Sequence, residues 1–515
     1  MRRKIKDRVT RREFMRSIPA FLAAASVASC SRSEPPKKPG FKPPNVLFIF
    51  ADQLRADICG AYGDARFKNI RTPHLDRLAG QGVTFTNALS TAPKCTPFRG
   101  MLMTGKYPTH SGLVVNFVHA SPRQNPDCIA HIYARNDYET AFIGKWHLAA
   151  GGWKNPGHTE SPDIADNFVP PGPARLGFQY WAANNFHVDF NDYWYFRDED
   201  TRIYSEKYET DSQIDQAIEY MESRKDSDKP FFLMVAPHPP HPPFRSTHTP
   251  AGYLEEVTHD PVWTPNVPEE EKEKHRERLR CYLAMCKNLD DGIGRLLEFL
   301  DESGLSRNTI VVFTSDHGEM HGSHGRYNKK VPFAESVDIP LFMRWPGVIP
   351  AGIKVDDLYT PMDHLPTLSS LCGLSIPDGI DGVDLSAAVM NRAGRSVRNE
   401  VLMGTYVSGY NTFTSGAPFL EWRGVHTGRW TYFRWLRRPE RAEAAEELYD
   451  NEADPYQMTN LVASADHSER LDSLRNKLTV LLAKAHDDFL PGTAYADWYD
   501  ADRNLIRTAL GPVPK

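Results

Sequence analysis

At 515 residues the chain is long enough to bury one large α/β core and a smaller second one without staples. Charged residues make up 25%, hydrophobic residues 40%, and the formal net charge is -5, which gives no broad basic face and excludes nucleic acid as the expected partner. Aromatics at 11% and 40 prolines suit ordered loops around a site and flat surfaces that stack on sugar rings.

The first 30 residues, MRRKIKDRVTRREFMRSIPAFLAAASVASC, have a basic start, an apolar run from Ile18 to Ala28 and small residues before Cys30. This is a secretory signal, too short for a stable membrane anchor. TRREFMR within it is similar to the twin-arginine export motif, in which a translocase reads Arg11 and Arg12; a generic export signal is the other reading. Val27, Ala28 and Ser29 before Cys30 are similar to a lipobox, whose cysteine becomes a lipidated N-terminus. SRSEPPKKPGFKPP, residues 31–44, reads as an extended Pro/Lys-rich tether. The expected location is therefore the periplasm, or the outer membrane or cell surface as a lipoprotein. Setting Cys30 and Cys95 aside leaves Cys59, Cys128, Cys281, Cys286 and Cys372, an odd set without framework spacing, read as mostly buried free thiols.

NVLFIFA from Asn45 predicts a buried strand, and TPHLDRLAGQG a helix capped by Thr72 and closed by glycine. TAPKCTPFRGMLMTGKYP, residues 91–108, sets a lone Cys95 beside Lys94 with Arg99 four residues on. As a bare thiol it fits packing, half a disulfide, a metal ligand or a nucleophile. FIGKWHL supplies Lys145 and His147 after a short apolar run. WAANNFHVDFNDYWYFRD, residues 181–198, reads either as a carbohydrate-recognition loop over the pocket or as a loop whose aromatics pack it down. FFLMVA from Phe231 predicts a strand leading into PHPPHPPF, with His238 and His241. LRCYLAMCKNLDDGIGRLLEFLDESG predicts a long amphipathic helix feeding the strand in NTIVVFTSDHGE; HGRYNKK carries Lys329 and Lys330, and PLFMRWPG from Pro340 is one more strand. Strands alternating with helices imply a large, mostly parallel sheet sandwiched by helices, with ligands at the carboxyl rim. After about residue 395, VLMGTYVSG, FLEWRGVHTG and RWTYFRWL predict a short antiparallel sheet, closed by EELYDNEADPYQMTNL and a helix over about 468–488. The expected organisation is signal 1–30, tether 31–44, catalytic α/β domain 45–395 and a smaller C-terminal α+β subdomain 396–515.

Two strand ends offer Asp52 with Gln53 and Asp316 with His317, an oxygen-rich set suited to one hard divalent cation. Arg99, Lys145, His147, His238, His241, Lys329 and Lys330, gathered in one pocket, would imply a multiply charged oxyanion substrate.

CTPFRGMLMTGK, followed in order by YETAFIGKWHL, FFLMVAPHPPHPPF, FTSDHGEMHGSHGRYNKK and ELYDNEADPYQMTNL, and preceded by ADQLRADICGAYG, resembles the formylglycine-dependent type I sulfatases of the alkaline phosphatase superfamily, over residues 45 to 465. The resemblance implies that a formylglycine-generating or anaerobic sulfatase-maturing enzyme oxidises Cys95 to formylglycine, whose hydrate attacks sulfur. It implies one divalent cation, calcium with magnesium or manganese as the other choices, held by Asp52, Gln53, residue 95, Asp316 and His317. Arg99 and Lys145 would hold the diol, Lys145 and Lys329 the sulfate, His241 with Lys329 would protonate the departing alcohol, and His147 would remove the proton that lets sulfate leave. Lys329, rather than Lys330, matches the family spacing to FAES and IPLFMRWPG.

Phe98 stands where the family most often has serine or alanine, and Asp-Gln and Asp-His stand where many members have Asp-Asp and Asp-Asn. Similar pairs occur in branches that include choline sulfatases and phosphonate monoester hydrolases. The expected activity is removal of sulfate from a sulfated polysaccharide or oligosaccharide; a phosphonate or phosphate ester hydrolase with the same site, or an inactive sulfated-glycan binding lipoprotein, are the rival readings.

Overall fold

The computed structural model describes residues 42–62, 70–151, 168–258, 260–392, 394, 396–409, 421–436 and 446–515. The signal and most of the tether, with Arg11, Arg12 and Cys30, lie outside the described residues.

Eight strands form the main sheet: β1 (Asn45–Ala51), β2 (Val83–Phe85), β3 (Glu139–Lys145), β4 (Tyr180–Asn184), β5 (Phe231–Ala236), β6 (Thr309–Ser315), β7 (Leu341–Arg344) and β8 (Ile353–Val355), in the order β8-β2-β7-β6-β1-β5-β3-β4. Apart from β7, which runs antiparallel to β6 and β2, neighbouring strands are parallel. Every residue of β1, β5 and β6 is buried, as strands covered on both faces must be, and this is why they read as unbroken apolar runs. Alternate side chains of β1 enter opposite layers. Val46, Phe48 and Phe50 pack with Phe98, Met101 and Leu102 of helix α2 (Cys95–Thr104). Leu47 and Ile49 pack with Leu283, Leu289 and Ile293 of helix α4 (Glu269–Glu302).

Helix α4 starts ten residues before the expected Leu279. That first stretch has no apolar period, and Glu–Lys and Glu–Arg pairs three apart support it instead: Glu269–Lys272, Glu271–Lys274, Glu273–Arg276 and Glu277–Arg280. Thr72 occupies the N-cap position of helix α1 (Pro73–Gly80) but its side chain does not cap. The hydroxyl accepts from the Gly60 amide, and buried Asp290 of α4 accepts from the His74 and Leu75 amides in its place. The six described cysteines are buried and unpaired.

Past the sheet, β9 (Val401–Thr405), β10 (Trp422–His426), β11 (Trp430–Trp435) and β12 (Glu446–Asp450) form an antiparallel sheet in that order. Strand β12 lies within the segment EELYDNEADPYQMTNL expected only to close the chain; its charged start hides the strand, which pairs with β11 from Trp430 to Arg434. The last long helix is α5 (Ser468–Lys484), with Leu471, Leu474, Leu478 and Leu481 buried. Among the described residues no helix is long and apolar enough to cross a membrane.

Candidate active site

Strands β6, β1, β5 and β3 lie side by side and deliver their carboxyl ends to one rim. Ala51 pairs with Ser315, so Asp52 and Asp316 emerge next to each other; the Asp52 amide then donates to Pro237 O and the Asp316 amide to Ala51 O. Gln53 follows with φ 72°, a left-handed turn that brings its amide N–H onto Asp316 Oδ1 at 3.0 Å. On the far side, the penultimate residue of β3 is Gly144, where a side chain would sit 2.4 Å from Ala236 O. This close approach sets the following Lys145 against the rim.

Helix α2 enters from below. All ten of its residues are buried, and Gly105 ends it in the left-handed conformation. Its first residue is Cys95, with Sγ 3.9 Å from Asp52 Oδ1, 3.5 Å from His317 Nε2 and 3.8 Å from Lys145 Nζ. Phe98 is swallowed by the core. Arg99, one turn on, reaches Asp52 Oδ2 at 3.2 Å, Asp316 Oδ2 at 3.4 Å and Lys145 O at 2.5 Å.

Asp52, Cys95, Asp316 and His317 each bring a ligand atom within 4.8 Å of the others, and all four are buried. Two carboxylates held together away from water each make ionisation of the other harder. Burial and the Asp52 charge push the Asp316 carboxyl up to about 7. Burial also works against ionised Asp52, but Lys145, then His241, Lys329 and His317, hold it well below the usual carboxylate range. Burial drives His317 down to about 4, leaving its nitrogen free to coordinate. Carboxylate oxygens, an imidazole nitrogen and the adjoining Gln53 amide form a donor set that fits a hard divalent ion.

Around this centre lie the cations. Lys145 Nζ sits 2.5 Å from Asp52 Oδ2 and 2.9 Å from His238 Nε2, so His238 belongs to the site and does more than brace the proline-rich loop. Lys329 Nζ donates to Gln53 Oε1 at 2.5 Å and lies 4.0 Å from Asp52 Oδ1. Lys330 turns away to Ser408 O. His147 takes φ 53° as β3 ends; its amide donates to Asn185 O and its carbonyl accepts from Thr96 Oγ1. Both ring nitrogens of buried His147, Nε2 of His241, Nδ1 of His238 and Nε of Arg99 have no hydrogen-bond partner among the described residues. Burial first, and then neighbouring cations, hold His147, His238 and His241 well below the ordinary imidazole value.

Sequence reasoning missed two features. Phe117 and Phe186 flank the His147 ring at centroid distances of 4.7 and 4.8 Å, and Phe186 also lies 5.3 Å from His238 and beneath Lys145. Most of the aromatics in 181–198, Trp181, Phe186, Phe190, Tyr193, Trp194 and Phe196, are buried; they pack this segment, and Phe186 reaches the site. The other missed residue is Glu319, inside the SDHGE motif, which contacts Gln53.

Residues 44–374 match the family model described as "Sulfatase", and residues 322–484 match "N-sulphoglucosamine sulphohydrolase, C-terminal". The chain is 34% identical to an "Ulvan-active sulfatase" of Formosa agariphila, over 89% of this chain and 84% of that one. It is 29% identical to an "Endo-4-O-sulfatase" of Bacteroides thetaiotaomicron, over 86% of this chain and 92% of that one. A solved structure from work on glycosaminoglycan metabolism by Bacteroides thetaiotaomicron superposes with a TM-score of 0.75 at 27% identity, covering 87% of this chain and 97% of that one.

Proposed function

Starting from the fact that the chain belongs to the sulfatase family and hydrolyses sulfate esters, we propose that it removes sulfate from a sulfated polysaccharide or oligosaccharide through a formylglycine made from Cys95. The observation that carries this is the seating of Cys95 Sγ, buried among Asp52, His317 and Lys145. It is in no described disulfide, and one acid, Asp52, and two basic side chains, His317 and Lys145, lie within 4 Å of its sulfur. Asp52, Gln53, residue 95, Asp316 and His317 would hold one divalent cation, with calcium as the first choice and magnesium or manganese next. When bound, that ion acidifies a hydroxyl beside it and takes up oxyanion charge.

The chain's own residues do the rest. Arg99 and Lys145 hold the aldehyde hydrate of residue 95, and Lys145 and Lys329 present ammonium groups to the sulfate oxygens. One hydroxyl of the hydrate attacks sulfur as the sugar alcohol departs. His241 faces Pro242 O through Nδ1 at 2.7 Å, which leaves Nε2 to hold the proton for that alcohol once the sulfate charge raises its affinity, with Lys329 assisting. His147 is held neutral and its ring has no hydrogen-bond partner among the described residues, the state a base needs; it takes the proton of the second hydroxyl, sulfate is expelled, and the aldehyde returns. A serine at 95 offers no second hydroxyl and would stall as the sulfate ester.

A sulfated glycan is favoured because relatives matched over most of their length are named for ulvan and for endo-4-O-sulfate cleavage. Export by the twin-arginine translocase and tethering through lipidated Cys30 complete the reading, with a formylglycine-generating or anaerobic sulfatase-maturing enzyme as the partner for Cys95. Lysine at both Arg11 and Arg12 then keeps the protein in the cytoplasm, and normal export discards that part. The test of the activity is hydrolysis of matched aryl sulfate and aryl phosphonate esters beside a panel of sulfated glycans. Sulfate preferred, with a glycan preferred over the aryl ester, supports the reading; a much faster phosphonate overturns it.

A further inference from the structure

Gln53 and Lys329 have been placed at the cation and at the sulfate, respectively, and one buried side chain ties the two together. Glu319 is 1% exposed. Its Oε1 accepts from the backbone amides of His321 at 3.2 Å and Asn328 at 2.6 Å, and its Oε2 accepts a short hydrogen bond from Gln53 Nε2. Asn328 adjoins Lys329, whose ammonium donates to the other end of the same amide, Gln53 Oε1, at 2.5 Å. Asn328 Oδ1, 3.5 Å away, faces Gln53 Nε2 as well.

We infer that Glu319 is a positioning residue that fixes which way the Gln53 amide faces and sets Lys329 opposite it. A carboxylate only accepts and an ammonium only donates, so between Glu319 and Lys329 the amide has a single orientation, nitrogen toward the glutamate and oxygen toward the lysine. The same contact explains the residue type at 53. An acid there would face the Glu319 carboxylate across a hydrogen-bond distance in a buried space, where like charges repel strongly. The carboxylate absent from position 53 is thus present one layer out. Such outer partners orient ligands and tune their affinity for the metal. By holding the Asn328 amide, Glu319 also fixes the turn that aims Lys329, so cation site and sulfate-binding lysine are set by one group.

This inference rests on the cation reading above, and its test separates the two. Ca2+ alone is titrated by calorimetry into the chelator-treated full-length protein, with no substrate present, and thermal unfolding is recorded with and without the ion. The proteins are wild type, Glu319→Ala, Glu319→Gln, Gln53→Glu and the double variant Gln53→Glu/Glu319→Gln. Glu319→Ala should weaken Ca2+ binding by about 10- to 100-fold. Gln53→Glu alone should weaken it and lower the unfolding midpoint. The double variant should recover most of both losses, because an amide at 319 keeps its oxygen for the two backbone donors and turns its nitrogen to the new acid. If Glu319→Ala does not fold, Glu319→Gln takes its place, since it keeps the Oε1 contacts and sets two amide nitrogens face to face. Wild-type affinity in the single Glu319 variants, or a double variant no better than Gln53→Glu, overturns the inference while leaving the cation reading standing. A wild type that binds no divalent cation overturns both.

Discussion

Two buried charged clusters of this molecule are built to opposite rules. In the C-terminal part, Arg423 has no exposed side-chain surface, yet every N–H is taken: Asp487 by Nε and NH2, Thr405 O and Trp422 O by NH1, and the Tyr495 hydroxyl by NH2. The guanidinium also stacks 4.0 Å from the Tyr406 ring. At the sheet rim, the cluster around Asp52 and Asp316 leaves five ring or guanidinium nitrogens without partners among the described residues, on Arg99, His147, His238 and His241. A fully satisfied cluster has no capacity left for a ligand and serves the fold. One left incomplete spends stability on what has yet to bind.

That contrast is broken most severely at Cys95. Cys95→Ala should abolish turnover and leave the unfolding midpoint within a degree or two of wild type; Cys95→Ser should release at most one equivalent of alcohol. Turnover near the wild-type rate in either variant refutes the mechanism. His147→Ala comes next. The His147 ring has no hydrogen bond to lose among the described residues but packs between Phe117 and Phe186, so the variant should lower kcat by about 10²- to 10⁴-fold after a first fast turnover and lose only the packing of the removed ring. A kcat close to that of wild type would take the proton-removing role away from His147.

Arg423→Ala sharpens the comparison from the other side. Leaving Asp487 buried and unpaired should cost about 3–5 kcal/mol in urea unfolding, while the folded fraction keeps its kcat. The smallest effect is expected at Glu209, the first residue of helix α3 (Glu209–Glu222), buried behind the rim. Its Oε1 accepts from Gln213, and burial, against Gln213, Lys145 and the His238 backbone, pushes its carboxyl up to about 8. A raised value means that the folded chain holds a proton the unfolded chain has lost, so stability falls as pH rises from about 4.5 to 8. Glu209→Gln should remove that slope and gain a few degrees of midpoint at pH 8, with nothing gained below pH 4.5. Equal midpoints at pH 8 would contradict it.

Much of this was legible in the sequence, for a physical reason. Strands covered on both faces are unbroken apolar runs, so β1 and β5 begin and end where NVLFIFA and FFLMVA do, and the polar residues directly after the strands must fall on the rim. Asp52, Asp316 and His317 followed from that, while the preference for Lys329 over Lys330 came from the resemblance to the family's spacing; Lys329 faces Gln53 and Lys330 faces Ser408 O. What stayed hidden depends on contacts between distant segments. Phe117 and Phe186 meet over His147 from loops 69 residues apart. Glu319 meets Gln53 only because β1 and β6 are neighbours. The start of α4 and strand β12 were missed where charged pairs, rather than apolar periodicity, carry the element.

The central claim is that Cys95 works as an aldehyde, and mass spectrometry of the peptide carrying residue 95, taken from protein that is turning over a sulfate ester, tests it most directly. The account predicts the formylglycine mass in a fraction of molecules that scales with specific activity. An intact thiol throughout fully active protein would contradict it.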